Sequence, residues 1–236
     1  MGKASRTKKE RVKAPTGAPT SSSRPAWLLP VAGGGLVIAI IAIVLALTLG
    51  GGGSSSTESV SAALKAAGCT LRAVKPLPPK DGKNYHNDVP TLTTKVKWST
   101  DPPSAGGHFG AWAVWNFYYE PVNPRMVVHN EEHGGMIMWW GPKVSGTDID
   151  KMYGFYQEDP LGMLGTPYPS LGSKIALTAW TGDPSKYYQD GNYGIGHIAL
   201  CTHFDQKAFT AFRDAYRGKG PEGISLSQDV PGSGPQ

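Results

Sequence analysis

Twenty-two consecutive residues without a charge, Leu28 to Leu49 (LLPVAGGGLVIAIIAIVLALTL), constrain this chain more than any other feature. At about 1.5 Å per residue, a helix of that length crosses the ~30 Å hydrocarbon core of a bilayer. A cleavable signal peptide is the rival reading, but its apolar region usually runs to only about 7 to 15 residues. No Leu-x-x-Cys lipoprotein box follows, since the first cysteine is Cys69. The stretch predicts a retained single membrane-spanning helix over 27–49, with the lipid bilayer as its partner.

The flanking charge orients it. Residues 1–26 carry seven basic side chains (Lys3, Arg6, Lys8, Lys9, Arg11, Lys13, Arg24) against the single acid Glu10, mixed with Pro, Ser, Thr, Gly and Ala. Such a segment cannot bury enough apolar surface to offset its ordering entropy, so it reads as a disordered tail. By the positive-inside rule the tail stays cytoplasmic at the cell membrane and everything beyond Gly50 lies outside. The whole chain has 23 basic and 18 acidic residues; without the tail these fall to 16 and 17, a net −1. The basic character therefore belongs to the tail, which suits anionic inner-leaflet lipid, and nucleic-acid binding by the folded part loses its support.

The remainder divides into a Gly/Ser linker at 50–57, an exterior domain at 58–222 and a loose end at 223–236. TESVSAALKAAG reads as a helix stopped by Gly68, TDIDKMYGFYQED as one capped by Thr147 or Asp148, and DQKAFTAFRDAYRG as one capped by Asp205. CTLRAVKPLPP, TLTTKVKWST, RMVVH, GMIMWWG, SKIALTAW and GIGHIALCTHF carry the β-branched and aromatic residues of strands. Short strands with scattered helices predict an α+β fold built on one mostly antiparallel sheet. Cys69 and Cys201 both fall in the exterior part, where a disulfide is expected in preference to two free thiols.

All six histidines (His86, His108, His129, His133, His197 and His203) also lie there. In VVHNEEHGG, His129 and His133 can share an ion only on a helical turn, where i and i+4 stand ~5 to 6 Å apart at Cβ. On a strand they would stand ~13 Å apart at ~3.3 Å per residue. Asn130, Glu131 and Glu132 favour the turn. The motif is not that of zincins, because Asn130 stands where those enzymes need glutamate. His108, in PPSAGGH, is the expected third ligand, with His86, His197 or His203 as a fourth or supporting group. Met126, Met136 and Met138 flank the pair; as core residues they are bland, but as thioether neighbours they would favour copper over zinc. Of the two glutamates only one can face the site, and Glu132 is the choice, as a general base if the site is catalytic. The dense aromatics from Trp98 to Trp140 read first as core and second as the wall of a small-molecule pocket.

KWSTDPPSAGGH, the aromatic run FGAWAVWNFYYEP and PRMVVHNEEHGGMIMWWGP together resemble a bacterial membrane-anchored family known as domain of unknown function 3105. Its pattern joins Pro-Pro-Thr-Ser-Gly-x-His to Val-His-Asn/Ser-Leu-Glu-His-Gly, with an early Ala-Gly-Cys and a later Leu-Thr-Ala-Trp, here Ala67 to Cys69 and Leu177 to Trp180. The resemblance spans roughly 60–220 and carries Cys69, His86 more loosely, Pro102, Pro103, Gly106, His108, His129, Glu132, His133 and Gly134. Ser104 and Ala105 replace Thr-Ser, and Glu131 replaces a leucine, which questions whether that position is buried. The family implies a fold and a site without naming a reaction. The expectation is an exterior domain that binds copper or zinc through His108, His129, His133 and His86, for binding or delivery at the cell envelope. Its rivals are a metal-dependent enzyme with Glu132 as base, and an interaction module whose histidines only fix turns.

Overall fold

The computed structural model describes residues 55–235, so the basic tail and the membrane-helix segment lie outside the described residues. Among the described residues no helix is long and apolar enough to cross a membrane. Five strands, β1 (Thr70–Val74), β2 (Met136–Trp140), β3 (Met163–Pro167), β4 (Ile175–Thr181) and β5 (Ile195–Cys201), form one sheet in the order β1-β5-β4-β2-β3. Among the described residues four α-helices accompany them: α1 (Ser55–Ala66), α2 (Pro124–Glu132), α3 (Gly146–Glu158) and α4 (Gln206–Tyr216).

The α+β reading stands, with two corrections to the sheet. It is mixed, because β2 and β3 run parallel while the other three pairings are antiparallel. β3, with a glycine inside and a proline at its end, carries no strand signal in the sequence, and it forms because β2 offers it a buried edge. TLTTKVKWST, expected as a strand, is irregular; Thr94 O accepts from Arg125 Nε at 2.6 Å and Trp98 Nε1 donates to Gly107 O at 2.8 Å.

β2 is buried along its whole length, so both faces of the sheet are covered. On one face Met136, Met138 and Trp140 meet Val60 and Leu64 of α1, Met152 and Phe155 of α3, and Phe209 and Phe212 of α4. On the other, Ile137 and Trp139 meet Val127 of α2 together with Ala113 and Trp115 from the preceding loop. The alternation of a strand thus sends the methionines away from α2.

RMVVH, expected as a strand, is the centre of α2. Asn123 caps the helix by accepting from Arg125 N, and Pro124 at the first position supplies the right φ. Burial of Val127 and Val128, both 0% exposed, overrides their strand preference. α3 is capped by Ser145 rather than Thr147 or Asp148, and α4 by Asp205 as expected. α1 begins at Ser55, inside the stretch read as linker.

A disulfide joins Cys69 and Cys201 beside the Thr70–Leu200 pair that starts the β1–β5 register. Nor is the C-terminal end loose. Gly232 N donates to Trp115 O, Trp115 N to Ser233 O, and Gly162 N to Asp229 O.

Candidate metal centre

Helix α2 presents its last turn to a loop cluster, and four side chains converge there. One ligand atom from each of His86, His108, His129 and Glu132 lies within 4.8 Å of all the others. The ring centroids of His86 and His108, and of His86 and His129, are 4.7 Å apart; those of His108 and His129 are 4.9 Å apart. His108, His129 and Glu132 are buried, while the side chain of His86 is 31% exposed and marks the solvent side.

Each side chain has a local reason for its place. His86 opens a short 3-10 turn, His86–Asp88, in a loop tied by Asp81 to Lys83 N and Asn84 N and by Asp88 to Lys80 N. His108 follows Gly106, whose φ of +107° suits glycine, and its Nδ1 sits 2.7 Å from Gly106 O. The next residue, Phe109, donates its N–H to Arg125 O and receives His129 Nδ1 on its own carbonyl at 3.0 Å. Asn130, fully buried, clamps the loop to α2 by accepting from Ala113 N and donating to Ala113 O.

These contacts fix the tautomers. A neutral imidazole that donates from Nδ1 to a carbonyl keeps its lone pair on Nε2, the usual arrangement of a metal-binding histidine. In His108 and His129 that lone pair faces the cluster. His108 Nε2 stands 2.9 Å from Glu132 Oε2, and His86 Nε2 stands 3.5 Å from it. Close as they are, the geometry is not that of hydrogen bonds: His86 Nε2, His108 Nε2 and Glu132 Oε2 are all buried atoms without a hydrogen-bond partner among the described residues. Two converging buried acceptors, His108 Nε2 and Glu132 Oε2, with His86 Nε2 beside them, are costly unless a cation or a shared proton sits among them.

The other carboxylate oxygen is occupied. Glu132 Oε1 accepts from the hydroxyls of Tyr187 and Tyr188, the second at 3.2 Å. Tyr188 is held at φ +62°, a left-handed conformation that non-glycine residues adopt at a cost. Burial alone would raise the Glu132 carboxyl, but His108, His86 and Tyr187 outweigh it and hold it well below its usual range. Glu132 pushes His86 up, whereas burial and then His108 lower His129 to about 3. Glu131, on the other side of the helix, is fully buried, and burial pushes it well above its usual range.

His133 lies outside this group. Its ring centroid is 4.9 Å from that of His129, as i and i+4 on a helix require, but it belongs to a separate trio with His129 and Glu222. His197 stacks on Tyr216 and shares a 2.8 Å hydrogen bond with Thr181 Oγ1, and His203 pairs with Thr202 in an exposed turn, so neither joins the cluster. Met136 and Met138 are core residues on the far face of the sheet, and Met126 packs against the apolar cluster that includes Trp115 and Ile137, so the thioether preference for copper falls away. Of the aromatics, Trp115 and Trp139 are wholly buried core. Tyr187, Tyr188, Glu222 and Asp229 escaped the sequence reading; SKYYQDGNYG shows only turn-forming residues around the two tyrosines.

A family model described as protein of unknown function (DUF3105) matches residues 90–228. Cys69 and His86 precede the match. No curated protein and no solved structure matches the chain.

Proposed function

Because this chain belongs to the DUF3105 family of proteins of unknown function, its chemistry has to come from its own site, and we propose that the domain binds one divalent transition-metal ion through His86, His108, His129 and Glu132. The observation that carries this reading is the convergence of three buried polar atoms without a hydrogen-bond partner among the described residues, His86 Nε2, His108 Nε2 and Glu132 Oε2. Three imidazoles and one carboxylate, with no sulfur donor, suit zinc or copper(II). Tyr187 and Tyr188 hold the carboxylate so that one oxygen faces the ion.

Binding or delivery fits this arrangement better than hydrolysis. Four protein donors complete a tetrahedron, whereas catalytic zinc keeps one position for water. Glu132 has neither oxygen free to act as base, since one takes two tyrosine hydroxyls and the other faces the histidines. We place the domain on the outer face of a cell membrane, anchored by residues 27–49; the uncharged run Leu28 to Leu49 and its basic flank support this, as does the Cys69–Cys201 disulfide, which suits an oxidising compartment.

The test is metal content by mass spectrometry on the full chain, purified in detergent without chelator, beside His108→Ala/His129→Ala. Near-stoichiometric zinc or copper that disappears in the variant is expected. A folded wild type that carries and takes up no metal would overturn the reading.

A further inference from the structure

Beside the inner group, His129, His133 and Glu222 form a second trio whose ligand atoms also lie within 4.8 Å of one another. The two groups share His129, and that sharing limits them. With Nδ1 engaged by Phe109 O, His129 has one lone pair left, at Nε2, and one lone pair serves one ion at a time. The groups are therefore two positions open to a single ion rather than two sites filled together.

Burial of the carboxylates orders the positions. The Glu132 side chain is 1% exposed and that of Glu222 34%, while His86, at 31%, gives the inner group a solvent edge of its own. His133 stands between solvent and interior. Its Nε2 is 3.4 Å from Glu222 Oε2, and its Nδ1 is 3.3 Å from Asp229 Oδ1. A carboxylate behind a histidine fixes the ring and raises its basicity toward metal. Asp229 is itself 2% exposed, and its second oxygen has no hydrogen-bond partner among the described residues.

The backbone builds this rim deliberately close to α2. Gly218 N donates to Gly134 O, and a Cβ on Gly220 would stand 2.3 Å from Gly134 N, so only glycine lets the 218–222 loop dock there. Glu222 N then reaches Glu132 O at 3.4 Å, which hangs the outer carboxylate on the helix end that carries the inner one.

We infer that His133 and Glu222, with Asp229 behind them, form an outer station that takes a divalent cation from solvent and passes it through His129 to the inner group. This rests on the metal-binding reading above. A dication stripped of all its water at once would meet a large desolvation barrier; a rim carboxylate and imidazole replace some waters before the rest are lost. His129 stays bound while the ligands on either side of it exchange.

A station on the route differs from a final ligand in what its loss changes. Removing it slows arrival and departure together and leaves the dissociation constant alone, whereas removing a final ligand weakens the constant itself. Copper(II) binding to the full chain is followed by stopped-flow tryptophan fluorescence. Trp112 is the natural reporter, its ring 4.8 Å from that of His133 and 5.5 Å from that of His129. We expect one ion per chain, and in His133→Gln a fall of about tenfold in both rate constants with Kd within about twofold. Glu222→Gln, at a partly exposed position that tolerates the change, slows association as well. One ion bound at unchanged rates in both variants overturns the relay alone. So does a tenfold weaker Kd in His133→Gln, or two ions per chain in the wild type. A wild type that binds no copper(II) or zinc overturns the binding reading and the relay together.

Discussion

His108 Nε2 and Glu132 Oε2 approach to 2.9 Å in the buried interior, off the alignment of a regular hydrogen bond. The contact joins a loop residue to a helix residue 24 positions later, and both lone pairs point at the same small volume. An ion there would relieve the cost of two desolvated acceptors, so under the proposed metal binding, occupancy and fold stability would be coupled.

That coupling predicts a thermal shift. Zinc at a hundred times its Kd should add about 2.7 kcal/mol, which for a domain of this size raises Tm by roughly 5 to 10 °C. Differential scanning fluorimetry with and without a chelator measures it, and a chelator-insensitive Tm in a metal-loaded sample would contradict the coupling.

Tyr187 carries a prediction of a different kind, since its hydroxyl donates to Glu132. Tyr187→Phe removes one hydroxyl and keeps the ring that packs against Trp180. Metal affinity should fall by about 10- to 100-fold, the usual effect of losing a group that orients a ligand, with the fold retained. Competition against a chromophoric chelator gives the number; an unchanged affinity would remove Tyr187 from the site.

The Cys69–Cys201 bond closes a sequence separation of 132 residues. On chain-entropy grounds its loss costs about 5 kcal/mol. Cys69→Ser/Cys201→Ser should therefore unfold at a lower urea concentration, while the proposed metal ligands on α2 keep their positions. Urea titration followed by circular dichroism decides this.

His197 sets a pH dependence apart from the metal. Burial, then Lys219, lowers its imidazole from 6.5 to about 4. Above pH 6.5 it is neutral in both states. Between 6.5 and about 4 only the unfolded chain takes up the proton, so stability falls as pH falls; below about 4 both states are charged and the loss is complete. His197→Gln should flatten that part of the stability curve in chemical denaturation at a series of pH values. A slope unchanged from wild type would show that other groups carry it.

Local sequence signals read the element types well where local physics decided them. α4 shows aromatics at 3, 4 spacing behind an Asp205 cap, and it is a helix for those reasons. β2, β4 and β5 are apolar runs bounded by turns, and they pair as strands. Failures came where a partner decided. Val127 and Val128 read as strand until the helix buries them, and β3 has no strand signature apart from the edge it completes.

His129, His133 and Glu132 were legible as a ligand pair and a carboxylate because helical spacing alone puts i and i+4 on one face. The choice of Glu132 over Glu131 agrees with the same rotation, and the two residues lie in opposite environments, one facing three histidines and one fully buried on the other side of the helix. The sequence also determined the uncharged run Leu28 to Leu49, since the absence of charge over 22 residues needs no tertiary context. Which histidines share a group could not be read this way. His86 enters the inner set across 46 positions from Glu132, and His133, four residues from His129, leaves it for Glu222. Ring orientation made that division. Phe109 O turns His129 inward and Asp229 turns His133 toward the rim, and those partners exist only once loops distant in sequence have packed onto the end of α2.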